Sequence, residues 1–296
     1  MEVKMKKLIA LSLIIIILCP ILSACNIAAN LTHFLYDNEE LYTVGDGVIN
    51  DKIDRVEIDW IRGDIKIEYH SLENIRFTES PDKDVDDDMI MRYRVEGSTL
   101  KIKFSASGEW NFNNIKKDLT LYLPSDLSLS ELDINTTASV VTLRELNIED
   151  LTMDTVSASV MLDNCNITSE IEIETVSGNI HIDAEAIPSL TIETVSGRMN
   201  ITADTIEELD IETTSGSVLL DCSEGIEKMD ISAVSGEVDL SLPENSAFTV
   251  RFDTVSGKLT STLPFTQDGD AYHVNGGGNG YKIDTVSGDV TITKSK

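Results

Sequence analysis

The chain has 296 residues, with 52 acidic against 23 basic side chains and a net charge of −29 at neutral pH. A surplus of that size repels phosphate backbones and anionic lipid surfaces, so nucleic acid is excluded as a partner. It does not imply disorder, because 41% of the residues are hydrophobic and they are regularly placed.

Residues 1–24 read as an export signal. Lys4, Lys6 and Lys7 precede an apolar run from Leu8 to Leu18, broken only by Ser12. Leu22-Ser23-Ala24-Cys25 closes the segment and resembles the lipobox of bacterial lipoproteins, in which the cysteine becomes the lipidated first residue. An uncleaved anchor stays open as an alternative, because Leu8 to Cys25 just reaches the length of a membrane helix. Both readings put the remainder outside the cytoplasm and tethered to the membrane. Removing residues 1–24 takes away three lysines and one glutamate, which leaves a charge of −31.

Residues 25–45 read as a tether, and 46–134 as opening coils with long loops. Strand-like runs occur there at Val56-Glu-Ile58 and Ile65-Lys-Ile67, and Ser80 to Asp88 reads as an exposed acidic loop. Trp60-Ile-Arg-Gly63 resembles an eroded copy of the phrase that dominates the rest of the chain.

That phrase is Thr-Val-Ser-Gly, beginning at Thr175, Thr194, Thr254 and Thr285. Variants begin at Thr155, Thr213 and Ala233, and a degenerate copy is read at Asn135-Thr-Thr-Ala138. From 135 the steps are 20, 20, 19, 19, 20, 21 and 31 residues. Alternating runs flank each copy, as in Ile171-Glu-Ile173-Glu before one and Ile180-His-Ile182 after it, the pattern of half-buried strands. A third apolar mark recurs at Ile148, Ile167, Ile187, Ile206 and Ile226. Three inward marks in about 20 residues predict an all-β fold, a right-handed parallel β-helix whose coils of 19–21 residues stack over 135–296. Such a coil is too short for a strand-helix-strand unit. Gln267 to Gly280, ending in six Gly or Asn residues, reads as a loop inserted into one coil.

Cys165 and Cys222 fall three coils apart, roughly 14 Å at the spacing of stacked strands, too far for a disulfide. The phrase glycine reads as a tight corner rather than a position that obliges a positive φ, because Ala138 and Ala158 stand at the equivalent place in other coils. The phrase threonines share the inward parity, so their hydroxyls are expected to satisfy buried backbone groups rather than to form an ice-binding face.

The residue before each phrase forms an outward column: Asp154, Glu174, Glu193, Glu212, Ser232, Asp253 and Asp284. Glu174, Glu193 and Glu212 are candidate ligands for Ca²⁺, against the plainer reading of a solvated acidic face that blocks sideways pairing. His33, His70, His181 and His273 have no metal-ligand spacing, and Ser157, Ser177 and Ser196 have no histidine placed beside them by sequence. No catalytic residue and no cofactor other than that Ca²⁺ is expected.

The lipobox-like start, Leu123-Pro124, Leu242-Pro243, the recurring phrase and the closing Tyr281-Lys-Ile-Asp-Thr-Val-Ser-Gly-Asp-Val-Thr-Ile292 together resemble the bacterial putative-adhesin, β-strand-repeat family. That family is a domain of unknown function similar to the one in LiaG-like envelope proteins. The resemblance covers about residues 46–293, and it implies a parallel β-helix at the cell surface with no catalytic residues to carry over. The expectation is a non-enzymatic surface-binding or scaffold module whose partners are a membrane, through lipid on Cys25, and a cell-wall polymer or envelope protein. Two alternatives stand beside it: an envelope-stress component sensing cationic agents, and a carbohydrate-active β-helix enzyme.

Overall fold

A computed structural model of the chain describes residues 35–109, 112 and 114–295. The export signal, Cys25, His33 and Trp110 lie outside the described residues. Among the described residues the fold is all-β: 21 strands form one continuous hydrogen-bonded sheet, and two short 3-10 turns, Glu39–Leu41 and Asp87–Met89, are its helical elements.

The middle of the chain behaves as its periodicity predicts. Asn147–Thr155 pairs in parallel with Ser128–Arg144 on one side and Asn166–Ser177 on the other. Ile180–Ser196, Arg198–Thr213 and Ser217–Ala233 follow in the same parallel manner. The shared register turns each sequence period into a column. Ile134, Met153, Ile173, Ile192, Ile211 and Ile231 form one buried column, and Val141, Val160, Ile180, Met199 and Val218 form another. Burying each such side chain contributes about 1.5–3 kcal/mol, but only when the next layer covers it. The recurring Ile148, Ile167, Ile187, Ile206 and Ile226 are buried as well.

The register corrects the first copy of the phrase by one residue. Thr136, not Asn135, pairs with Thr155, so Ser139 rather than Ala138 stands where later copies carry glycine. Ala138 therefore says nothing about space at the glycine position. The buried Thr136 and Ser139 hydroxyls meet at 2.6 Å. Trp60-Ile-Arg-Gly63 is a true copy: Trp60 pairs with Thr136 and Gly63 with Ser139.

The layers depart from chain order at both ends. Arg55–His70 pairs in parallel with Ser128–Arg144 on one side and with Thr99–Lys103 and Lys117–Pro124 on the other, so the first long strand is the second layer. At the far end, Asn279–Thr285 lies between Ser217–Ala233 and Phe248–Thr254. Val290–Lys294 likewise lies between Val238–Leu242 and Leu259–Ser261. The 31-residue step is thus not a loop inserted in one coil. Phe265–Asp268 and Ala271–Val274 form a hairpin that covers Phe248–Thr254 in antiparallel fashion, and the chain then returns to fill the layer beneath. Antiparallel strands also cover the other end, where Ile75–Pro81 pairs with Lys117–Pro124 and Arg92–Glu96 with Thr99–Lys103. Such covers protect the ends of a stack from edge-to-edge pairing.

Large side chains plug both ends. Trp60 and Phe104 meet edge-on at 4.9 Å, with the fully buried Lys117 ammonium 4.1 Å from the Phe104 ring centre. At the other end Phe248 stacks on Tyr281 at 4.8 Å, and the Tyr281 hydroxyl donates to the Ile226 carbonyl.

Candidate functional surfaces

The phrase itself is consumed by structure. Gly178 and Gly197 have φ of +148° and +132°, and a Cβ on either would lie 1.8 Å from the carbonyl oxygen of Ala158 or 1.9 Å from that of Gly178. Both space and conformation therefore demand glycine at these two positions, which corrects the expectation of tight space without a required positive φ. The threonines are buried at the corner: Thr155 donates to Thr175 Oγ1 at 2.7 Å, and Thr194 donates to the Ser196 carbonyl at 3.0 Å. The serines donate across layers, Ser215 to the Val195 carbonyl and Ser157 to the Thr137 carbonyl. The threonine hydroxyls are thus turned into the corner and not presented as an outward face.

The acidic column exists, in the order Asp154, Glu174, Glu193, Glu212, Ser232, Asp284, Asp253. Two residues earlier on each strand a second column runs through Glu172, Thr191, Asp210 and Asp230. Periodicity at 172, 210 and 230 could have revealed it. Partial burial and then the neighbouring carboxylates raise the pKa of Glu193; the same causes raise Glu174 and Glu212. Stacked strands lie about 4.8 Å apart, and like charges at about 4 Å repel by about 1 kcal/mol in water. Lys282 offsets the field at one end, bridging Asp230 and Asp284 at 3.0 Å each. Among the described residues no group of three or more His, Cys, Asp or Glu is arranged to hold a metal ion.

The face after the phrase differs. Its outward columns carry Thr142, Met161, His181, Asn200 and Leu219, with Val140 and Ser159 on one side and Arg144, Asp163, Asp183, Thr202 and Asp221 on the other. Val140, Met161 and Leu219 are exposed, and Asn200 Nδ2 lies 3.0 Å from His181 Nδ1. His70 lies against the Asn74 carbonyl and His273 against Thr249, so the three described histidines sit in separate places.

Cys165 and Cys222 are buried free thiols, each with its pKa raised by burial. Lys117 is the buried titratable group that the outward-acid reading overlooked. It shares the inward parity of Leu119, Leu121 and Leu123, which was the available signal. Its ammonium donates to Glu79 Oε2 at 2.6 Å, to the Met89 carbonyl and to the Phe104 carbonyl. Burial nevertheless lowers its pKa to about 8. It is fully buried against the rings of Trp60 and Phe104.

Surface grooves of about 310–430 Å³ occur among the described residues. One of them, about 430 Å³, runs beside Glu207, Glu224, Glu227 and Asn279, where the last segment enters the stack. Thr205, Ser246 and Tyr281 complete its polar lining, with the Ser246 hydroxyl donating to the Pro243 carbonyl and that of Tyr281 to the Ile226 carbonyl. Among the described residues no helix is long and apolar enough to cross a membrane.

No curated protein matches the chain. Among solved structures it is similar to a "putative cell adhesion protein" from Clostridium sporogenes, at 12% identity over 85% of this chain and 100% of that one, with a TM-score of 0.23. It is also similar to a "putative lipid binding protein" from Parabacteroides distasonis, at 16% identity over 85% and 97% of the two chains, with a TM-score of 0.40. The description Toastrack DUF4097 belongs to a family model that matches residues 53–293, which is most of the chain, and the protein is therefore a member of the Toastrack DUF4097 family.

Proposed function

We propose that this chain is an extracytoplasmic scaffold, lipidated at Cys25, whose parallel layers form a right-handed β-solenoid that binds extended ligands without turning them over. Right-handed winding is the rule for parallel crossovers. The observation that carries the binding reading is the register: it repeats outward side chains once per layer along two unlike faces, one acidic and one that sets a column with exposed Met161 and Leu219 beside a charged one. A repeating surface suits a repeating partner, such as a cell-wall polymer, or the flat surface of another envelope protein. The repeated hydroxyls and glycines are spent on the scaffold, which supports binding over catalysis.

Co-sedimentation of residues 26–296 with purified cell walls and with membranes, across a salt series, tests this. Retention on walls that weakens with salt assigns binding to the acidic face, and salt-indifferent retention assigns it to the face bearing Met161 and Leu219. Turnover of any polysaccharide would overturn the non-enzymatic reading. The acidic columns favour one second reading, attraction of cationic envelope-damaging agents; it predicts salt-sensitive binding of a cationic peptide to the purified chain.

A further inference from the structure

We propose that the end of the array formed by Thr43–Val44 and Gly47–Ile49 is a membrane-facing surface, resting at the headgroup level of the bilayer. The proposal depends on the reading of Cys25 as a lipidated residue. Both columns of layers terminate at this end in strands bonded on one side only, Thr43–Val44 to Arg92–Glu96 and Gly47–Ile49 to Ile75–Pro81. Leu41, Val44 and Val48, on the 3-10 turn and these two strands, are 53%, 50% and 51% exposed. Three solvent-facing aliphatic side chains within eight residues leave an apolar surface that the fold itself does not cover.

The chain length selects the occupant. Tyr36 is fixed at this end: its backbone N–H donates to Ser107 Oγ at 3.0 Å, its hydroxyl donates to the Ser105 carbonyl at 2.9 Å, and its ring lies 4.7 Å from that of Tyr42. Cys25 precedes Tyr36 by 11 residues, which span at most about 40 Å when fully extended. Thirteen strand pairings separate Thr43–Val44 from Phe265–Asp268, roughly 60 Å at the spacing of stacked strands, so a lipid on Cys25 keeps this end nearer the bilayer than the end bearing Val255 and Phe265. The outer edges of Thr43–Val44 and Gly47–Ile49 keep backbone groups that need water or headgroups, so the contact stays at the interface and does not enter hydrocarbon. Glu39, Glu40 and Asp46 flank the apolar residues and fit ammonium-bearing phosphatidylethanolamine rather than anionic lipid.

The test uses the full chain, processed with its own signal and reconstituted into vesicles of phosphatidylethanolamine and phosphatidylcholine. Val48→Cys and Val255→Cys, both at exposed positions, each take a fluorophore while the buried Cys165 and Cys222 stay unlabelled. A headgroup-linked quencher is expected to cause a loss of fluorescence at position 48 that position 255 does not show. Equal quenching at the two positions, or a loss at 48 that appears only at high protein-to-lipid ratio and so reports contact between copies, would overturn the proposal. The mass of the N-terminal peptide separates the two readings. An acylated Cys25 with equal quenching defeats the membrane-facing end alone, whereas an unacylated Cys25 defeats the anchor and this inference together.

Discussion

Gly288 lies directly over Gly236: a Cβ on Gly288 would sit 2.1 Å from the Gly236 carbonyl oxygen, although a whole copy of the phrase, 254–257, comes between them in the chain. Gly257 in turn lies over Gly288, its Cβ position 2.1 Å from that carbonyl. The last copy of the repeat is therefore an inner layer. The corner is built by close backbone approach between layers, whatever their order in sequence.

The glycine corner sets the first expectation. Gly236→Ala puts a methyl group 1.7 Å from the Gly216 carbonyl oxygen, and separating them requires two backbones to move. A loss of about 3 kcal/mol or more is expected in urea unfolding. Gly280→Ala meets open space and should stay within about 0.5 kcal/mol of the parent. Equal effects at the two positions would count against the corner geometry.

Ending the chain at residue 278 removes an inner layer rather than a terminal one. Tyr281, Ile283, Val290 and Ile292 are all buried between neighbours. Hydrogen exchange is expected to speed up on both sides of the gap, in 217–242 and in 248–261, while 147–213 keeps its protection. Loss confined to 248–261 would fit a stack in simple chain order and not this one.

The acidic column fixes a pH dependence. Glu174, Glu193 and Glu212 have pKa values raised in the folded state, so the fold holds their protons more tightly than the unfolded chain does. Their effect on stability is unfavourable at neutral pH, and stability should rise as pH falls from neutral toward the ordinary carboxylate range. Glu193→Gln should raise the melting temperature at pH 7 and flatten this rise, and added monovalent salt should imitate it. A melting temperature that falls on mild acidification would contradict the expectation.

Lys117 acts in the alkaline range. Its pKa is lowered to about 8 in the fold, so the unfolded chain binds the extra proton between that value and the ordinary lysine range. The cost of holding a buried ammonium is present below pH 8 and is relieved as pH rises toward 10.5. Relative to Lys117→Met, the parent should gain up to about 3 kcal/mol of stability across that window. A constant difference between the two proteins would mean that Glu79 and the two carbonyls hold the charge at no net cost.

The sequence by itself determined the period, the parity of inward and outward residues, and the roles of the repeated side chains. These are local properties: alternation at Ile171-Glu-Ile173 or Ile180-His-Ile182 decides which side chains are buried whichever layer lies above. The acidic column and the buried threonines were legible for the same reason. The one-residue error at Asn135 arose where the phrase had decayed and only the pairing of Thr136 with Thr155 could fix the register. Tertiary structure alone decided the order of layers at the two ends, the antiparallel covers and the box around Lys117. Strands of one repeat are nearly interchangeable as hydrogen-bonding partners, so no local pattern says that 279–285 must enter between 217–233 and 248–254. That choice follows from burying Tyr281 against Phe248 and from leaving a hairpin rather than a bare parallel strand at the edge.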